Sequence, residues 1–173
     1  VLMAQLEIPV EAVEAALELA KGAGLMTILD PAPVKSLPPY TLSLVDYITP
    51  NAPEASELTG IDVHCWSTAA KAAHKLRAMG PKNVVITMGK LGAFFSSPQG
   101  QVRIAAPGVV AVDSTAAGDA FNGAFAVAIA QGVQPDIAAD IAAVAGALAV
   151  SKAGAQPSLP TLAELAQVVS LPW

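Results

Sequence analysis

The stretch AVDSTAAGDAFNGAF, residues 111–125, places Asp113 and Asp119 around a run of tiny residues, and a helix-periodic apolar segment follows. A helix opening near Ala116 or Ala117 points the free amides of its first turn, reinforced by the helix dipole, at whatever lies beyond the end, which makes an anion site. Tiny side chains keep such a site open. Packing alone explains the Ala and Gly residues, but not the acid that follows Gly118. Asp119 has two readings. As a helix-start charge it is worth roughly 0.3–1 kcal/mol. As a general base beside an anion hole it completes what a phosphoryl transferase needs: amides stabilise the transferring group while the carboxylate accepts the hydroxyl proton.

Two more stretches follow apolar runs with strand character. In TPNAPEASELTG, Asn51 and Glu54 are one helical turn apart and share a face. An amide and a carboxylate so placed can hold a hydrated magnesium ion, which takes oxygen ligands through water; equally, Asn51 can cap the helix with Glu54 as its partner in a capping box. In TMGKLGAF, Gly89, Lys90 and Gly92 follow a strand that ends in Thr87. Glycines let backbone amides approach a phosphate and Lys90 adds positive charge, yet the pattern is neither a phosphate loop of the GxxxxGK[ST] kind nor GxGxxG before a helix, and a glycine-rich hairpin turn fits it as well.

These stretches need elements to position them. VLMAQLE reads as a buried strand, and Val10, Val13, Leu17 and Ala20 share one helical face after Pro9, with Gly22 and Gly24 at its end. LMTILD is a strand ending at Asp30, and the four prolines of PAPVKSLPP exclude regular structure after it. VDYITP, a helix opening behind Asn51, a helix from a Ser67 cap to Gly80, and NVVITMG continue the alternation. AFFSSP and QVRIAA flank a turn, one helix runs from about Ala116, a second spans PDIAADIAAVAGALAVSKAG, and TLAELAQVV makes a terminal one. Strands alternating with helices predict a mostly parallel sheet covered on both faces, with ligands at the carboxyl ends of its strands. No repeat or linker interrupts residues 1–173, which read as a single α/β domain or part of one.

Composition narrows the partners. The chain of 173 residues is 54% hydrophobic and 13% charged, with a net charge of -5, and this acidic balance argues against nucleic acid or an anionic membrane surface. A small-molecule ligand fits better. Cys65 is the only cysteine, so no intrachain disulfide forms and a reducing cytoplasm is the natural compartment. The longest apolar runs fall short of a membrane span, and the start at Val1, directly in an apolar run, predicts a chain that begins in mid-fold. His64 and Cys65 supply too few ligands for zinc and read as a surface connector; Asp136 and Asp140 read as a solvated helix face.

VDSTAAGDAFNGAF resembles the signature of the ribokinase-like (PfkB) carbohydrate kinases, close to D-T-x-G/A-A-G-D-x-F-N/x-G. Asn51-x-x-Glu54, then TMGKLG, then this signature is also the family's order, and QLEIP, DPAPVKSLP, VDYITPNAPEASELTG and SKAGAQPSLPT extend the likeness along nearly the whole chain. The resemblance implies a three-layer αβα fold whose N-terminal sugar-binding part and lid are missing here. It implies ATP-dependent phosphorylation of the 5-hydroxyl of D-ribose, with another sugar or nucleoside kinase of the family, or a non-catalytic nucleotide-binding fragment, as alternatives. By position it makes Asp119 the base beside an anion hole at 116–119, gives Asn51 and Glu54 to magnesium and phosphate, and sets Thr87, Gly89, Lys90 and Gly92 along the nucleotide.

A potassium ion is implied beside the anion hole, held by Asp113, the carbonyls of Thr115, Ala149, Lys152 and Gly154, and Ser158, with the Lys152 ammonium turned to solvent. A physical reason accompanies it: a phosphate facing Asp113 and Asp119 meets like charges that repel by roughly 4 kcal/mol near 4 Å at an effective dielectric of about 20. Against it stands Asp113 as a simple cap of the turn. Ala143 departs from the Asn or His that the family carries beside adenine. The family's dimer surface lies on the lid, which allows a homodimer in the complete protein.

Overall fold

The computed structural model describes all residues, Val1–Trp173. Its strands are β1 (Leu2–Ala4), β2 (Thr27–Leu29), β3 (Tyr47–Ile48), β4 (Asn83–Thr87), β5 (Ala93–Ser97) and β6 (Gly100–Ile104), and they form one six-stranded sheet in chain order. β1 to β4 pair in parallel, with Leu2 opposite Thr27, Ile28 opposite Tyr47 and Ile48 opposite Val84. β5 and β6 are the two arms of the expected hairpin. The helices are α1 (Val10–Gly22), α2 (Pro39–Ser43), α3 (Ala52–Thr59), α4 (Trp66–Ala78), α5 (Ala117–Ala130), α6 (Pro135–Val150) and α7 (Leu162–Ala166). The polypeptide divides into two compact units, Val1–Met88 with Phe94–Arg103, and Gly89–Ala93 with Ile104–Trp173.

In the first unit β2 to β4 are short and mostly buried, as strands covered on both faces must be, whereas β1, expected to be buried, has Met3 exposed and Leu2 and Ala4 half-buried, because it lies at the edge of the sheet and pairs only with β2. α1 buries Val13, Leu17 and Ala20, the face that its spacing predicts, and stops where Gly24 turns left-handed at φ 71°. Val13 and Leu17 join Ile48, Leu76, Val84 and Ile86 in one core, where each fully buried aliphatic side chain contributes roughly 1.5–3 kcal/mol. Beneath it, Asp46 ties three elements together: it accepts from Lys21 Nζ at 2.8 Å, Lys82 Nζ at 2.8 Å and the Thr27 amide at 3.0 Å. Burial alone would push this carboxyl up, but those hydrogen bonds outweigh it and bring the pKa down to about 2.

In the second unit α5 and α6 are packed together, with Ile141, Val144, Ala145 and Leu165 in a core of their own. Alanine permits that approach. Gly146 sits with the place of a Cβ 3.3 Å from the Ala117 carbonyl, tighter than ordinary contact.

Some boundaries differ from expectation. α4 begins at Trp66 with Cys65, not Ser67, as its N-cap, because the Thr68 hydroxyl, accepting from the Cys65 amide, reaches back far enough to close the box. α2 forms from Pro39 onward, where proline at the first helical position loses no hydrogen bond. α6 stops at Val150, so SKAG is a turn and not helix. No helix is long and apolar enough to cross a membrane.

Candidate active site

Within the first unit, the carboxyl ends of the parallel strands line up the polar residues. Asn51 follows β3 and is the parallel bridge partner of Thr87, whose amide donates to the Pro50 carbonyl at 3.0 Å. Asn51 caps α3 and closes a complete capping box. Its Oδ1 accepts from the Glu54 amide at 2.9 Å, its own amide donates to Glu54 Oε2 at 2.8 Å, and Nδ2 donates to Oε1 at 2.6 Å. Thus the cap reading holds in full. It leaves room for the other, since each carboxylate oxygen keeps a further lone pair that a magnesium-bound water can donate to.

Burial pushes the Glu54 carboxyl above the ordinary glutamate range, and the charge of Asp30 adds to this against the restraining hydrogen bonds from Asn51. Asp30 is a residue that spacing did not single out. It is buried at the end of β2 and accepts from Gln5 Nε2, beyond β1, at 3.2 Å. Only the pairing of β1 with β2 juxtaposes them, so no local pattern announces the pair.

The second unit holds the rest. Gly89–Leu91 is a 3₁₀ turn in which Gly89 and Lys90 are exposed, whereas Gly92 is buried. Gly92 answers to packing: a Cβ there would lie 1.9 Å from the Ile104 carbonyl oxygen, its φ is 102°, and its amide already donates to the Gly89 carbonyl at 2.9 Å.

α5 starts differently. Its N-cap, Ala116, has φ 60° and ψ 10°, the only non-glycine residue with positive φ, and makes no side-chain cap. Such a conformation is uncommon for a residue with a Cβ and persists only where its surroundings impose it. Asp113 imposes it in part. Its Oδ1 accepts from the Thr115 amide at 2.9 Å and hydroxyl at 2.7 Å, and its Oδ2 from the Gly154 amide at 3.0 Å. The Thr115 hydroxyl, followed by the Thr115 and Gly154 amides, holds the Asp113 carboxyl down at about 2, so it is an anion at any ordinary pH.

Beyond Ala116, a Cβ added to Gly118 would meet nothing within 4 Å. No neighbour demands this glycine, and the side on which its Cβ would lie is open. Asp119, exposed in the first turn, lines a cavity of about 290 Å³ with Gly123, Val127, Leu159, Leu162 and Trp173. The Ala117 amide makes a long 3.3 Å bond to the Ser114 carbonyl, which a better acceptor can replace.

The turn after α6 carries several of the residues expected to hold a cation and reaches Asp113 through the Gly154 amide. Val150 accepts from the Val112 and Asp113 amides, Lys152 donates its amide to the Ala149 carbonyl, and the buried Ser158 donates its hydroxyl to Ala155. One expectation fails: the Lys152 ammonium does not turn to solvent but pairs with Glu164 Oε1 at 2.6 Å. Glu164 is readable from sequence only as the partner of Thr161 in a T-x-x-E box; its bond to a lysine twelve residues earlier is tertiary. Ala143 is buried in α6 and presents no polar group.

The model of the pfkB family of carbohydrate kinases matches residues 3–162. The chain belongs to that family. It is 43% identical over 167 residues to the ribokinase of Staphylococcus aureus (strain COL), covering 96% of this chain and 55% of that protein. It is 43% identical over 164 residues to the ribokinase of Haemophilus influenzae, covering 94% of this chain and 53% of that one. The structure of Arabidopsis thaliana ribokinase complexed with ribose and ATP superposes with a TM-score of 0.91 at 30% identity, over 98% of this chain and 55% of that chain. The fold is accordingly the three-layer α/β class of ribokinases, and the chain spans about half the length of the curated relatives it matches.

Proposed function

We propose that this chain is the nucleotide-side portion of an ATP-dependent sugar kinase that phosphorylates the 5-hydroxyl of D-ribose. The observation that carries the reading is the start of α5: a left-handed Ala116, an unneeded Gly118 and an exposed Asp119 in one helical turn. Identity of 43% to two ribokinases, and the likeness to a ribokinase bearing ribose and ATP, support the choice of substrates.

In the reaction the sugar oxygen attacks the terminal phosphorus, the bond from that phosphorus to the departing diphosphate breaks, and the hydroxyl proton passes to the Asp119 carboxylate. The amides of Ala116, Ala117 and Gly118 receive the charge that gathers on the transferring oxygens. Gly89, Lys90, Gly92 and Thr87 lie along the nucleotide in this reading. Asn51 and Glu54 orient the waters of a magnesium ion, which when bound neutralises phosphate charge. Asp113, Ser158 and the carbonyls of Thr115, Ala149, Lys152 and Gly154 suit a weakly hydrated monovalent cation, because they are neutral or singly charged oxygens already held in place.

The test uses the complete protein, as cytoplasmic enzyme or homodimer as it is isolated. With ATP and ribose it should form ribose 5-phosphate, identified by phosphorus NMR, faster than it phosphorylates fructose or nucleosides, and several-fold faster in potassium than in sodium at equal ionic strength. A preference for another sugar overturns the substrate, and equal rates in both salts overturn the cation site.

A further inference from the structure

Glu164 uses its two carboxylate oxygens for different ends. Oε2 accepts from the Thr161 amide at 2.8 Å and hydroxyl at 3.0 Å, which closes the capping box of α7. Oε1 accepts from Lys152 Nζ at 2.6 Å. Lys152 belongs to the turn after α6, and from that turn the Gly154 amide reaches Asp113 Oδ2 at 3.0 Å. At its root Val150 accepts from the amides of Val112 at 2.7 Å and Asp113 at 3.2 Å. Asp113 holds Thr115, and the next residue is the left-handed Ala116 that opens α5. A continuous series of bonds therefore runs from α7 to the turn that carries Asp119.

The pair is about one-third exposed at each partner, 35% for Lys152 and 41% for Glu164, and exposed pairs add little to stability. Its consequence is geometric. The turn at 151–158 has no strand or helix of its own beyond a single 3₁₀ turn at Gln156–Ser158, so the side-chain tie to α7 is what limits its position on one side, and Asp113 on the other.

We propose that Glu164 is a positioning residue for phosphoryl transfer: through Lys152 it fixes the 151–158 turn, and thereby the 113–116 loop that sets the first turn of α5. The inference rests on the kinase reading above. It is tested in the complete protein with Glu164→Gln, which keeps an oxygen for the cap and removes the charge, and with Lys152→Met, which keeps the stem and removes the ammonium. Hydrogen exchange at the amides of 113–119 should quicken in both, with β2 and β4 unchanged. Turnover should fall by roughly three- to thirtyfold, the range of coupling through bonded networks, with KM for ATP little altered. Lys152→Arg should restore it, and the double variant should be no worse than either single one, since both break the same link.

Exchange at 113–119 equal to wild type, with only the α7 amides quickened, overturns the proposal and leaves Glu164 a helix cap. Additive losses in the double variant overturn it as well. If the wild-type protein phosphorylates no sugar, the kinase reading fails by itself, and the exchange measurement still decides whether Glu164 sets the loop.

Discussion

The starts of α3 and α5 are both helix N-termini with a carboxylate in the first turn, yet they are built on opposite plans. At α3, Asn51 has an extended backbone and closes on Glu54 with three hydrogen bonds, two through its side chain and one from its backbone amide, so the donors of that end are largely spent. At α5 there is no side-chain cap, the N-cap residue is held left-handed at φ 60°, and a Cβ on Gly118, two residues on, would meet nothing within 4 Å. The first end is satisfied by its own sequence. The second spends conformational energy on features that packing does not ask for, and such expenditure is expected where a ligand completes the structure.

The sharpest way to break this comparison is at the two acids. Asp119→Asn in the complete protein should lower turnover by about 10² to 10⁴, the effect of removing a general base, with nucleotide affinity nearly intact and thermal stability unchanged. Turnover within a few-fold of wild type would return Asp119 to the role of helix-start charge. Glu54→Gln at α3 keeps one oxygen for the Asn51 amide and sets its NH2 against Asn51 Nδ2, so stability should fall by about 1 kcal/mol while the magnesium concentration for half-maximal rate rises; an unchanged magnesium dependence would leave α3 a purely structural start.

The glycines sharpen it next. Gly92→Ala must move the Ile104 carbonyl, and overpacking of this kind costs roughly 1–3 kcal/mol, to be seen as a lowered denaturation midpoint. Gly118→Ala should instead leave stability equal or raise it by up to about 1 kcal/mol, while the rate falls because the methyl group fills the space the transferring phosphate would use. A stable Gly118→Ala protein of full activity would show that the open space is not used.

Smaller still is the loss of the α3 cap alone: Asn51→Ala should cost about 0.5–2 kcal/mol in urea unfolding, with no compensation from Glu54. The smallest effect appears only in acid. Asp46 has its folded pKa lowered to about 2 from 3.8, so its contribution to stability is complete above pH 4 and is lost as the pH falls toward 2. Wild-type stability should drop across that window more steeply than that of Asp46→Asn, and parallel curves would show that the ties to Lys21 and Lys82 add nothing.

Much of this was legible in local pattern. The face of α1, the parallel run of β1 to β4, the hairpin of β5 and β6, and the stretch around Asp119 all follow from periodicity and residue type, because a 3.6-residue or two-residue repeat is a property of the chain itself. The family likeness is carried by the same short motifs. What the sequence could not distinguish is which glycine serves packing and which serves space. Gly92 and Gly118 look alike in the chain, and only the neighbours that folding brings to them, the Ile104 carbonyl in one case and nothing in the other, separate their roles. Likewise Gln5 with Asp30, 25 residues apart, and Lys152 with Glu164, 12 apart, are pairs made by strand order and by a turn, since a hydrogen bond depends on distance in space and leaves no periodic trace in the sequence.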